Sequence, residues 1–219
     1  MATRITLIRH GETDWNVSGR WQGQAPVPLN SNGLQQARVT AAYLNAKRIA
    51  FNSVYASDLS RAFVTASLIV SEIGGEVIKD RRLREIDLGD WQGLTEIEVR
   101  DWDGDNLARV RADTIHAQRP GGESWKQVGE RALSLLREVV EKHPNHEVMM
   151  TSHGGTIRSV LNELGLLDPK AARIENCSRT ILVYSDGQWT LEAFNLTDHL
   201  VVPAYDSHRS EQDNFGKGA

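Results

Sequence analysis

Two short apolar runs in this chain end on the same chemistry. Ile5-Thr6-Leu7-Ile8 passes directly into Arg9-His10-Gly11, and the run from Glu147 to Thr151 passes into Ser152-His153-Gly154-Gly155. Runs this short, closed by glycine, have the length of a buried strand and are too short for a helix. Each is followed by apolar residues at helical spacing: Leu34, Ala37, Ala41 and Leu44 after the first, and Ile157 to Leu164 after the second. Strands alternating with helices predict an α/β layered fold. In open α/β sheets the carboxyl ends of strands border a crevice, so His10 and His153 are expected to face one site. Glycine behind each histidine lets the backbone turn there.

The rest of the chain fits the same alternation. Ser53 to Ala56 reads as a strand, with Ser57 or Asp58 capping a helix that runs through Ala62, Ala66 and Ile69 to Gly74-Gly75. Val77-Ile78 is a further strand, and Glu85 to Gly93 is irregular. Leu94 to Arg119 is polar and weakly periodic; it reads as one or two short helices, closed by Pro120-Gly121-Gly122, with Asp101 to Asp105 as a solvated turn. Ser124 to Lys142 is a long helix with Val128, Ala132, Leu135, Leu136 and Val139 inward, and Thr180–Tyr184 pairs with Trp189–Ala193 about Asp186-Gly187. The expected organisation is one catalytic domain over residues 1–206, with an insertion at 94–122 and a loose polar tail at 207–219.

Composition narrows the function. The net charge of −4 gives no basic excess for nucleic acid or an acidic membrane, so any anion must be bound by a few arginines placed locally. A single cysteine, Cys177, forbids an intrachain disulfide and fits a reducing compartment. With no apolar leader and no membrane-length run, the expected location is cytoplasmic. An exposed strand edge would allow a homodimer, though nothing in the sequence fixes one.

The crevice inventory is specific. Arg9 adjoins His10, Arg61 follows the second strand, His153 follows a later one, and Asn16 lies a short turn past His10. Guanidinium forks, imidazoles and free N–H groups at helix starts suit a phosphoryl group. A histidine there can take that group covalently. Arg9 and Arg61 should hold the His10 imidazole neutral, with its other nitrogen donating to a carbonyl. Other signals fail. Asp101-Trp102-Asp103-Gly104-Asp105 has no preceding strand, and as a calcium loop it lacks its closing glutamate, Ala112 standing there. Cys177 has Val183 where a Cys-x5-Arg loop needs arginine, and His143 and His146 sit at a helix end, where capping outranks zinc binding.

RHGETDWN, SDLSRAFVTA, LREIDLGDWQG, PGGES and TSHGGT occur in an order that resembles the histidine phosphatase superfamily, and more closely its phosphoglycerate mutase-like branch. The resemblance implies a three-layer α/β/α sandwich with a mostly parallel central sheet and a small helical insertion over the site. It implies that His10 becomes phosphohistidine, that Arg9, Arg61 and His153 hold the phosphoryl oxygens, and that Glu85 is the general acid. Asn16, Gln22, Gly23 and Gly154 would be further substrate contacts. No metal or other cofactor is implied, since fixed arginine charge takes that role.

Two outcomes share this intermediate. A phosphatase lets water take the phosphoryl group; a 2,3-bisphosphoglycerate-dependent mutase passes it to another hydroxyl and needs a second basic subsite. Family mutases place a lysine and paired arginines in the insertion. Here its first half is acidic, and Arg100, Arg109, Arg111 and Arg119 include no adjacent pair. The expectation is therefore a metal-independent hydrolase of a small phosphorylated metabolite, with the mutase as the alternative. A non-catalytic phosphoryl-binding protein is the second alternative; the full set His10, Arg9, Arg61, Glu85 and His153 argues against it.

Overall fold

The computed structural model describes residues 2–167 and 173–200. The expected tail at 207–219 lies outside them. The chain forms β1 (Thr3–Arg9), a single turn α1 (Asp14–Val17), α2 (Ser31–Ala46), β2 (Ser53–Ala56), α3 (Ser60–Ile73), β3 (Val77–Lys79), α4 (Glu96–Ala112), α5 (Trp125–Lys142), β4 (Glu147–Ser152), α6 (Gly154–Glu163), β5 (Arg179–Ser185) and β6 (Gln188–Leu196). The strands make one sheet in the order β3-β2-β4-β1-β5-β6. β3, β2, β4 and β1 run parallel, while the β1–β5 and β5–β6 pairings are antiparallel. The sheet is thus mixed, with the parallel part expected from the strand–helix alternation.

Side chains alternate across a strand, and that alternation makes the layers. Ile5 and Leu7 of β1, Val148 and Met150 of β4 and Leu182 of β5 pack with α5 and α6. Ile8 and Met149, one residue out of phase, pack with Val54 against α2 and α3. The central strands are therefore buried on both faces, which is why they read as apolar runs rather than as alternating ones. The result is an α/β sandwich with helices on both sides of a central sheet.

A third cluster builds the roof of the site. Ile86, Leu88 and Trp91 from the irregular segment pack with Val99, Leu107 and Val110 of α4 and Val128 of α5. The expected insertion carries α4, two helical segments that begin at a Thr95–Glu98 capping box and meet in a bend at Asp103, whose backbone is not helical (φ −137°, ψ 44°). The expected solvated turn at 101–105 is corrected by that bend: Asp103 Oδ2 accepts from the buried Trp91 indole at 2.7 Å, and its Oδ1 from Asn106 at 2.9 Å. The expected cap of α3 is corrected too. Leu59 is its N-cap, without a side-chain bond; Ser57 and Asp58 have other partners.

Candidate active site

β1 and β4 are parallel neighbours with Arg9 opposite Ser152, so the next residues emerge side by side. The His10 N–H donates to the Ser152 carbonyl at 2.9 Å, and the imidazoles of His10 and His153 lie 5.1 Å apart, tilted by 58°. His10 Nδ1 is 2.7 Å from the Gly11 carbonyl, which can only accept. The hydrogen-bond network therefore assigns the proton to Nδ1 and leaves a lone pair on Nε2. Arg61 Nε donates to that Nε2 at 3.3 Å. Burial, then the charges of Arg61 and Arg9, push the His10 pKa well below the usual imidazole value.

Arg61 is buried and its fork is held rigid: Nη1 donates to Ala25 O at 2.9 Å and Nη2 to Gly23 O at 2.7 Å. Burial lowers its pKa to about 10, so it stays charged at neutral pH. Arg9 donates through Nη1 to Ile174 O at 2.5 Å, while its buried Nε has no partner among the described residues. Gly154 lies against the Arg9 guanidinium, where a Cβ would approach to 3.4 Å.

His153 is buried beside His10. Its Nε2 is 2.9 Å from Ser57 Oγ, which itself accepts from the Leu59 N–H at 3.3 Å. The direction of that hydrogen bond follows the ring tautomer, which a partner at Nδ1 would set. That Nδ1 is buried with no partner among the described residues. Burial and the Arg61 charge hold the His153 pKa well below its usual value.

Glu85 approaches from the irregular segment. Its carboxylate accepts from the Gly155 N–H at 3.1 Å and the Ile86 N–H at 3.1 Å, and lies 3.2 Å from the Thr156 hydroxyl, which donates to Arg84 O at 2.8 Å. A Cβ at residue 155 would come within 2.5 Å of Glu85 Oε1 and 2.4 Å of the Trp125 ring, so glycine is required there. The competing carboxylates are engaged elsewhere: Glu123 pairs with Arg131 at 2.9 Å, Glu12 accepts from Asn30, and Asp87 accepts from Gly89 N–H.

Arg9, His10, Asn16, Gln22, Gly23, Arg61, Glu85 and Gly154 line one cavity of about 520 Å³. Asn16 uses Oδ1 on the Thr13 N–H and hydroxyl, both at 3.1 Å, which leaves its Nδ2 as the donor for a ligand. Gln22 is buried with Oε1 unpartnered among the described residues. Sequence reasoning missed several residues. Ser57 was expected to cap a helix. Asn176, which donates to His10 O at 2.9 Å, follows no motif. Arg131, which donates to the carbonyls of Arg82, Arg84 and Glu85, sits on a helix face that reads as solvent-facing. Trp125 carried only its position next to PGGES as a signal, and Arg119 only its place in the insertion. Among the described residues no group of three or more His, Cys, Asp or Glu could hold a metal ion, and no helix is long and apolar enough to cross a membrane.

Residues 5–197 match the family model of the histidine phosphatase superfamily, branch 1. Phosphoglycerate mutase-like protein 4 of Arabidopsis thaliana is 36% identical over 90% of this chain and 86% of its own length. A mycobacterial glucosyl-3-phosphoglycerate phosphatase solved with VO3 is 34% identical, with a TM-score of 0.77 over 89% of this chain and 99% of that one. Phosphoserine phosphatase of Entamoeba histolytica in complex with 3-phosphoglyceric acid is 30% identical, with a TM-score of 0.79 over 91% of this chain and all of the other. The chain belongs to the histidine phosphatase superfamily, branch 1, and is a hydrolase of the histidine-phosphatase type.

Proposed function

We propose that this enzyme hydrolyses a small phosphorylated metabolite through a phosphohistidine on His10. One observation carries the reading: His10 Nε2 keeps its lone pair, with Nδ1 tied to Gly11 O and an arginine donor 3.3 Å from Nε2, on the wall of a cavity that Glu85 shares. In the first step Nε2 attacks phosphorus and the P–O bond to the leaving alcohol breaks. Glu85 gives its proton to the departing oxygen. In the second step Glu85 takes a proton from water as the water oxygen attacks phosphorus. The P–N bond breaks and neutral His10 and phosphate are left. Arg9, Arg61, the Nδ1–H of His153 and the amide of Asn16 stabilise the charge on the transferring oxygens, and Gln22, Gly23 and Gly154 border the group.

Water, rather than a second substrate hydroxyl, is the acceptor in this reading. The insertion's arginines support it. Arg111 is paired with Glu96, and Arg109 is engaged with Gln118 O and Asn106, so no paired basic subsite forms on α4. The test is phosphate release from a panel of phosphomonoesters, run beside 2-/3-phosphoglycerate interconversion with 2,3-bisphosphoglycerate. Release with an acid-labile phosphoenzyme is expected. His10→Ala should lose both, with turnover down on the order of 10⁴-fold or more. Interconversion with negligible release would make the enzyme a mutase, and normal turnover in His10→Ala would remove His10 as nucleophile.

A further inference from the structure

The strand that delivers His10 ends against a segment that carries none of the motifs, residues 174–178. The Cys177 N–H donates to Arg9 O at 3.0 Å, and the Arg9 N–H donates to Ser178 O at 3.3 Å. Arg9 Nη1 reaches Ile174 O. From the other side, the Glu175 N–H donates to Asn195 Oδ1 on β6 at 2.8 Å, and His199 Nε2 lies 3.2 Å from Cys177 O. The segment is therefore pinned between the end of β1 and the chain that follows β5.

Asn176 projects from this segment and is buried. Its Nδ2 donates to His10 O at 2.9 Å and makes a longer contact, 3.4 Å, to Asn16 Oδ1. Which way an amide points is fixed only by partners that have no choice of role. The His10 carbonyl can only accept, so Asn176 must present its nitrogen there. The Thr13 N–H, 3.1 Å from Asn16 Oδ1, can only donate, so Asn16 must present its oxygen. The two amides therefore meet nitrogen to oxygen. Turning Asn16 over would set its own N–H groups against the Thr13 N–H and the Asn176 amide. Asn16 Nδ2 is thus kept for a ligand in the cavity that Asn16 lines.

We infer that Asn176 is a positioning residue for phosphoryl transfer: one buried amide bridges the main chain of the nucleophile and the side chain of Asn16. It fixes the Asn16 nitrogen toward the phosphoryl oxygens and ties its distance to His10. The inference rests on the roles given to His10 and Asn16 above. Without the Asn176 amide, the Cys177 N–H at 3.4 Å is the donor left to His10 O among the contacts described, and Asn16 loses one of the three donors that orient it. A donor that drifts by a fraction of an ångström stabilises the transferring group less.

Orthovanadate, which takes up the five-coordinate geometry of a transferring phosphoryl group, is the probe, and its binding is measured by calorimetry. Asn176→Ala should weaken it about tenfold in the wild-type background but no more than about threefold in Asn16→Ala, because the amide to be oriented is then gone. Equal losses in the two backgrounds overturn the inference and make Asn176 a structural residue only. Asn176→Asp keeps the shape and turns the donor into an acceptor, and it enters the same cycle if the alanine variant does not fold. A crystal of the wild type with orthovanadate needs no variant. It should show Asn16 Nδ2 on a vanadate oxygen, with Asn176 on Asn16 Oδ1 and His10 O. An Asn16 amide turned the other way, or Asn176 in contact with the vanadate, overturns the inference. None of these readouts requires turnover, so absence of phosphate release by the wild type would count against the phosphatase reading alone.

Discussion

Arg131 Nη2 donates to the main-chain carbonyl of Glu85 at 2.9 Å, so Glu85 is held in place by a side chain of α5. The same guanidinium holds Arg82 O and Arg84 O at 2.8 and 2.7 Å and pairs with Glu123 at 2.9 Å. Glu123 in turn accepts from Asp87 N–H at 2.9 Å. Burial pulls the Glu123 pKa up, but these donors outweigh it and the carboxyl sits below its ordinary value. The segment that carries Glu85 is thus clamped by Arg131 and Glu123 together.

Replacing Arg131 with Met should therefore cost both stability and rate. Three carbonyls and one half-buried carboxylate would lose their donor, a loss of about 2–3 kcal/mol. Urea unfolding checks this figure. Turnover should fall mainly in kcat, because the acid is displaced while the phosphoryl pocket stays intact. A loss confined to KM would contradict the clamp.

Glu85→Gln should separate leaving groups. The amide cannot protonate an alkoxide, so turnover of alkyl phosphates should fall by about 10²–10⁴-fold. Aryl phosphates with acidic phenols need no such proton for the first step, and their phosphoenzyme should still form in a burst. Equal loss of that burst and of alkyl turnover would remove Glu85 from the acid role.

Ser57→Ala tests how His153 is oriented. Without the hydroxyl, Nε2 loses the partner that holds it, and the proposed Nδ1–H tautomer loses its support. The ¹⁵N resonances of His153 should report Nδ1 protonation in the wild type and a shift toward Nε2 protonation in the variant. The kcat/KM should drop on the order of tenfold. An unchanged tautomer would show that Ser57 only packs.

Stability should decline on the acid side. His10 and His153 have pKa values well below the imidazole norm, mainly through burial, and burial lowers that of His199 to about 4. The unfolded chain therefore binds more protons than the folded one below about pH 6.5. The histidine contribution is whole above that pH and is lost as pH falls toward the folded-state values. Each histidine adds up to about 1.4 kcal/mol per pH unit to the slope. Denaturant unfolding between pH 7.5 and 5 should show stability falling with pH below about 6.5; a flat profile would mean these rings protonate freely in the native state.

Much of this site was legible because it is local. His10, His153 and Arg61 sit at or just beyond strand ends, and strand ends announce themselves by apolar runs that stop at glycine. The charges of Arg9 and Arg61 were expected to lower the His10 pKa; burial, visible only in three dimensions, is the larger cause. Partners set by packing were not legible. Ser57 precedes a helix, so a cap was the natural reading, yet the sheet brings it to a histidine 96 positions later. Arg131 faces main-chain carbonyls, which no side-chain pattern encodes. The insertion read as polar because its helix buries only Val99, Leu107 and Val110, a narrow stripe for 17 residues.

The glycine at 155 has a further consequence. With the Glu85 carboxylate on one side of its missing side chain and an indole on the other, this stretch of main chain has no room for a Cβ unless one of them moves. A side chain at this position would displace Glu85 and Trp125 together from the cavity wall they share.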